Sequence, residues 1–230
     1  MYQNKTIKVV IPAYNEAESI GLVLRDMPAF VDEVIVVNNN SNDGTFNAAK
    51  LGGATVLNES RKGYGSACLK GLQYIKDTNG CDIVVFIDAD YSDHPEEMPM
   101  LLVPILKDNM ALVIGSRATG NKELGSMTPQ QVFGNKLAVW LINIFFKYQF
   151  TDLGPFRAIT WQALQQIHMV DTNYGWTVEM QVKALKLQLA CTEVPVSYRK
   201  RTLGVSKVSG TIKGSVMAGF KIIKTIFKYA

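Results

Sequence analysis

Five apolar residues, Ile83-Val84-Val85-Phe86-Ile87, run straight into Asp88-Ala89-Asp90. A mostly β-branched run that ends in two acids is a buried strand delivering carboxylates to its C-terminal end. In open α/β sheets ligands bind at such ends. Strand alternation sends Asp88 and Asp90 one way and Ala89 the other. Two carboxylates side by side repel unless a cation lies near them. A hard divalent ion, Mg²⁺ or Mn²⁺, suits oxygen ligands and accepts phosphate oxygens for the rest of its shell. Asp-x-Asp alone is equally compatible with a solvated turn, so the remaining chain has to decide.

The flanking sequence repeats one pattern. Ile7 to Pro12 is a strand ended by proline, followed by the loop Ala13-Tyr14-Asn15-Glu16 and a helix from Glu16 to Met27. Glu33 to Val37 is a second strand, and Asn38-Asn39-Asn40-Ser41-Asn42-Asp43-Gly44-Thr45 is its loop, whose residues favour turns. A short helix Thr45–Leu51, a third strand Ala54–Leu57 and the basic loop Arg61-Lys62-Gly63-Tyr64-Gly65 lead to a helix from Ser66 to Lys76. This alternation predicts a doubly wound, Rossmann-like, mostly parallel sheet with helices on both faces. No Gly-x-Gly-x-x-Gly follows the first strand and no Gly-Lys-Ser/Thr loop is present, which argues against dinucleotide and P-loop sites.

With 230 residues, 47% of them hydrophobic, the chain can fill one large core. A net charge of +4 suits phosphorylated ligands or an anionic membrane surface. The basic residues form no dense block with interleaved aromatics, so nucleic acid is not an expected partner. Cys68, Cys81 and Cys191 are too scattered for a metal site and read as reduced thiols. The N-terminus shows no signal peptide, and the apolar stretch Ala138–Phe146 is too short to span a bilayer. The expected location is cytoplasmic, with the alternative of a peripheral position on the cytoplasmic membrane face. Residues 1–209 are expected to form the main domain and 210–230 a basic amphipathic helix. In that helix Ile212, Val216, Phe220, Ile223 and Phe227 alternate with Lys213, Lys221, Lys224 and Lys228. Such a helix lies on a membrane, on its own domain or on a second subunit, leaving a homo-oligomer open.

The ordered set Val10-Ile11-Pro12-Ala13-Tyr14-Asn15-Glu16, Asp88-Ala89-Asp90, Gly115-Ser116-Arg117, Thr151 to Ala158, Tyr174 to Met180 and Arg201 to Lys207 resembles family 2 glycosyltransferases of the GT-A fold. It is most similar to the dolichol-phosphate mannosyltransferase and polyprenyl-phosphate glycosyltransferase branch, over residues 6 to 212. The resemblance implies that Pro12, Tyr14, Glu16, Asn39 and Gly63 surround the nucleotide. It makes Asp88 and Asp90 the Mg²⁺ or Mn²⁺ ligands. Arg201 and Lys207 then belong to a loop that closes on the diphosphate of a UDP- or GDP-linked sugar. Arg117 and Asp152 fall on the acceptor side. Glu179 is a general base if the acceptor is a hydroxyl, or an orienting group if it is a phosphate.

The chain departs from the family at two points. Ser92 stands where a glutamine is sometimes the third metal ligand, and the neighbouring Asp93 is left unassigned. Val132 stands where relatives often carry an arginine. The implied activity is transfer of a hexose, with inversion, to a polyprenyl phosphate. The alternatives are the same chemistry on a soluble or glycan hydroxyl and, from a different class, a nucleotidyltransferase. The second requires a glycine-rich basic loop after the first strand, where Pro12 to Glu16 stands instead.

Overall fold

The computed structural model describes residues 1–204 and 212–230. Seven strands form one sheet: β1 (Ile7–Ala13), β2 (Glu33–Asn38), β3 (Thr55–Asn58), β4 (Ile83–Phe86), β5 (Leu112–Ser116), β6 (Arg157–Thr160) and β7 (Cys191–Pro195). Their order is β3-β2-β1-β4-β6-β5-β7. All pairings are parallel except those of β6, which runs antiparallel between β4 and β5. Chain direction across the sheet switches at β1 and β4, the place where such folds open a ligand crevice. β7 lies at an edge, as Pro195 requires.

The period-two pattern of the strands supplies both faces of the sheet. Val10, Val84, Phe86 and Ile114 point to the side covered by α3 (Tyr64–Asp77), α5 (Pro129–Phe146), α6 (Trp161–Ile167) and α7 (Trp176–Lys186). Val9, Ile11, Val85 and Val113 point to the side covered by α1 (Ile20–Arg25), α2 (Thr45–Leu51) and α4 (Met98–Lys107). The final helix, α8 (Ile212–Tyr229), packs on α5 and α7, and its Ile226 is wholly buried in the first of these cores.

Local chemistry sets several boundaries. α5 starts at a capping box: Thr128 accepts a hydrogen bond from Gln131 N, Gln131 Oε1 accepts one from Thr128 N, and Pro129 is the first helical residue. β1 does not end at Pro12 but runs through it to Ala13. Val10 O still accepts from Ile87 N on the β4 side, whereas Ala13 O accepts from Asn39 N on the β2 side. The missing N–H of Pro12 thus faces the side where β4 pairing has already stopped, so the ladder loses nothing. Helix α1 is shorter than the pattern suggests, because residues 16–19 form a turn around the Glu16 carbonyl. All three cysteines are free thiols.

Candidate active site

β4 ends at Phe86, two residues before the first acid. Asp88 and Asp90 therefore sit in a turn, and strand alternation does not aim them. The turn does: Ser92 N donates to Asp90 Oδ1 at 3.0 Å, and Tyr91 takes positive φ. Asp88 Oδ1 is buried without a hydrogen-bond partner. Burial, then the charge of Asp90, pushes the Asp88 carboxyl up to about 7. Asp93, 1% exposed, has neither side-chain oxygen hydrogen-bonded. Burial and the charges of Asp88 and Asp90 push it up too, while the charge of Arg117 pulls the other way.

Positive charge reaches this acidic turn from two sides. Arg201, on the segment after β7, donates from Nη1 to Asp90 Oδ2 at 3.2 Å and from Nη2 to both Glu16 oxygens at 2.5 Å. Glu16 also accepts from Ser19 Oγ at 3.0 Å, and burial raises its pKa against the pull of Arg201. Arg117, leaving the end of β5, forms a two-pronged pair with Asp152 at 2.8 and 2.7 Å, and its main-chain N–H donates to the same carboxylate. Burial works against the Arg117 charge, but Asp152 outweighs it and drives the guanidinium further up. Arg117 also lies 5.0 Å from the Tyr198 ring centroid, a cation–π distance. Its Nη1 takes no part in the Asp152 pair.

A polar scaffold holds the Arg117–Asp152 pair. Glu193 of β7 accepts from Thr151 N and Asp152 N, and Asn135 of α5 pins the same loop through Thr151 O and Leu153 N. Arg157 is wholly buried and donates to the carbonyls of Leu153, Gly154 and Thr177, tying that loop to α7. Burial lowers its pKa to about 10.

The structure brings Glu16, Asp88, Asp90, Arg117, Asp152 and Arg201 together, and gives other expected residues different work. Asn39 is spent on scaffolding. Its amide donates to Glu59 O and Arg61 O, and its oxygen accepts from Gly63 N. The Gly63 N–H is thus engaged by Asn39 rather than open to a diphosphate. Gly63 has φ +144°, and a Cβ there would meet Thr172 O at 2.1 Å, while one on Gly65 would meet Asp171 O at 2.0 Å. Both glycines serve close packing of this loop on residues 171–172. Tyr14 is half-buried, its hydroxyl accepting from Lys62 Nζ at 3.2 Å. Lys207 lies outside the described residues.

Glu179 is wholly buried. Its oxygens accept from Val170 N, Asp171 N and Tyr229 Oη, and it pairs with Lys183 at 2.7 Å. A carboxylate so fully engaged braces a loop and the C-terminal helix. Glu179→Gln is expected to lower the melting temperature while kcat/KM falls less than about tenfold, short of the 10²-fold or more typical of a lost general base. Parallel melting curves and kinetics check this. Sequence reasoning left Asp93 unassigned and missed Glu193 and Asn135. Asp93 could have been flagged as a third acid beside Asp88-x-Asp90. Nothing in the sequence shows that Glu193 and Asn135 meet the 151–153 loop.

Among the described residues no three His, Cys, Asp or Glu side chains gather into a ready-made metal cage. The unpartnered Asp88 oxygen, with Asp90 beside it, fits a hard cation whose other ligands come from a phosphorylated substrate and water. The acids, the two arginines and the switch point in the sheet suit transfer from a diphosphate leaving group.

Residues 8–167 match the family described as Glycosyl transferase family 2. An uncharacterized glycosyltransferase of Mycobacterium tuberculosis (strain ATCC 25618 / H37Rv) is 34% identical over 221 residues, 96% of this chain and 97% of that protein. Undecaprenyl-phosphate mannosyltransferase of Micrococcus luteus is 32% identical over 224 residues, 92% and 90% of the two chains. Among solved structures, glucosyl-3-phosphoglycerate synthase from Mycobacterium tuberculosis, in complex with Mn²⁺, UDP and glucosyl-3-phosphoglycerate, superposes with a TM-score of 0.77. It is 23% identical, with 98% of this chain and 80% of that one covered. The sheet is thus of the GT-A kind, and the match along the sequence makes this chain an enzyme belonging to glycosyltransferase family 2.

Proposed function

We propose that this glycosyltransferase moves a hexose from a UDP- or GDP-linked sugar to a polyprenyl phosphate, with inversion at the anomeric carbon. The observation that carries the acceptor class is the commitment of the acceptor-side carboxylates. Asp152 is held by Arg117 and Glu179 by Lys183, Tyr229 and two main-chain N–H groups. Neither is free to deprotonate a hydroxyl. A phosphate acceptor is already ionised and needs no base. Arg117, with Nη1 outside its ion pair, offers that phosphate a charge-assisted hydrogen bond and positions its oxygen for in-line attack.

On the donor side Tyr14 and Glu16 flank the nucleotide, and Arg201 moves to the diphosphate. Asp88 and Asp90 would hold Mg²⁺ or Mn²⁺, which supplies charge neutralisation of the departing nucleoside diphosphate. Two further features support a lipid acceptor. The Micrococcus luteus relative is named for undecaprenyl phosphate. Helices α5 and α8 also leave large apolar side chains in solvent, among them Phe133 at 69%, Trp140 at 57% and Phe220 at 68% exposure. No helix among the described residues is long and apolar enough to cross a membrane, so contact with the lipid would be peripheral.

A soluble acceptor is the competing reading. It draws on Val132, which puts no charge where a second phosphate-binding arginine would stand, and on the solved neighbour bound to phosphoglyceric acid. A transfer assay separates the two. With UDP-glucose or GDP-mannose and Mn²⁺, undecaprenyl phosphate is expected to be glycosylated and phosphoglycerate not. Transfer to phosphoglycerate alone would overturn the lipid acceptor.

A further inference from the structure

A second basic feature lies outside this site. Between α8 and the loop after α6 is a cleft of about 330 Å³ lined by Asp171, Thr172, Lys221, Lys224, Thr225 and Lys228, with Glu179 and Tyr229 at its back. The three lysines fall three and four residues apart, so they share one stripe of the helix. The acids in the cleft are already neutralised. Lys221 pairs with Asp171 at 2.8 Å, and Asp171 also accepts from Asn173 N and Gly175 N. Glu179 is held by Lys183 and Tyr229. Among the described residues neither Lys224 nor Lys228 pairs with a carboxylate, and α8 contains no acid. The cleft therefore carries an excess of two lysine charges over its paired acids, with Lys228 also over the Tyr229 ring at 4.8 Å and the Thr172 hydroxyl beside them.

The surface next to the cleft says what kind of anion fits. Val216, Met217, Phe220 and Phe227 of α8 are between 53% and 68% exposed. Phe227 meets Phe145 of α5 edge-on at 5.1 Å, which joins the two helices into one apolar face that continues to Trp140 and Ile144. Helix α5 has no acid either. An apolar face bordered by uncompensated lysines matches a bilayer surface, where acyl chains meet anionic headgroups.

We propose that the lysine cleft is a phosphate site, distinct from the acceptor position at Arg117, that takes the headgroup phosphate of an anionic lipid while the α5–α8 face lies against the bilayer. The assignment rests on the peripheral membrane contact in the function proposed above. Its test uses neither donor nor acceptor, so failure of glycosyl transfer would leave it standing.

The intact protein is sedimented with vesicles of phosphatidylcholine alone or phosphatidylcholine with phosphatidylglycerol, and its melting temperature is followed with inorganic phosphate. The variant Lys224→Gln/Lys228→Gln is measured in parallel. Both positions are exposed, so it should fold like the parent. The expected result is binding to the anionic vesicles only, about 30-fold weaker in the variant, with phosphate protecting the parent and not the variant. Equal binding by parent and variant, equal binding to both vesicle types, or none to either would overturn the lipid site. Lysine-dependent protection by phosphate without vesicle binding would make it a site for a soluble phosphate and sink the lipid assignment. Self-association through the apolar face with no vesicle binding would do the same.

Discussion

Asp90→Asn should lower kcat by roughly 10²–10³-fold, the size expected when one preorganised electrostatic contact to a developing charge is removed. Asp90 touches both halves of the charge balance. Its Oδ1 is fixed by Ser92 N and its Oδ2 meets Arg201. The amide keeps the shape but offers a metal ion and Arg201 one neutral oxygen. The loss should appear in kcat, with a weaker response to Mn²⁺ titration. Wild-type turnover in this variant would rule the Asp88–Asp90 pair out as the ion site.

The same pair gives the protein a pH signature. Asp88 has its folded carboxyl raised from the ordinary 3.8 to about 7. The folded state thus holds a proton that the unfolded chain releases near pH 4. Stability linked to Asp88 is complete below pH 4, is lost as pH climbs, and levels off above about 7. In chelator-treated protein the melting temperature should fall across that window. Asp88→Asn should flatten the fall, and Mn²⁺ should reverse it by favouring the ionised pair.

The largest stability effect is expected at Asp152. Asp152→Ala strips the two-pronged partner from Arg117, whose side chain is only 11% exposed. Removing one member of a buried pair leaves an uncompensated charge and typically costs about 3–5 kcal/mol. In a chain of this size that is a drop on the order of 10 °C in melting temperature. Arg117→Met should cost a similar amount. The double variant Arg117→Met/Asp152→Leu should recover part of the loss, because no lone charge remains. Its activity should stay low, since no guanidinium is left for the acceptor phosphate proposed above. If the two single costs simply add, the residues are not energetically paired.

The sheet was legible because its strands are short β-branched runs bounded by turn residues, and α5 because Thr128 and Pro129 mark its start. β6 was not. Arg157-Ala158-Ile159-Thr160 follows Gly154-Pro155-Phe156 and looks like the end of a loop motif. Only its place between β4 and β5 makes it a strand. The acids of the site were readable as types, but not their partners. Asn39 looked like a ligand to the nucleotide, yet a side chain that donates and accepts also suits bracing residues 59–63. Glu179 read as either a base or an orienting group, and the sequence did not show that its oxygens meet Val170, Asp171, Lys183 and Tyr229. Lys183 stands at the i+4 helical spacing and was readable, but the Tyr229 contact 50 residues away leaves no periodic trace in a chain.

Arg201 joins Glu16 and Asp90, so a cation drawing on Asp90 Oδ2 or a diphosphate drawing on Arg201 would have to undo that contact. A cation on Asp90 loosens the guanidinium, and an anion that draws off the guanidinium bares Asp90 for the cation. Each arrival lowers the obstacle to the other. Ion and donor should therefore raise each other's affinity by the same factor, as linkage demands. After transfer, the return of Arg201 to its two carboxylates would eject both together.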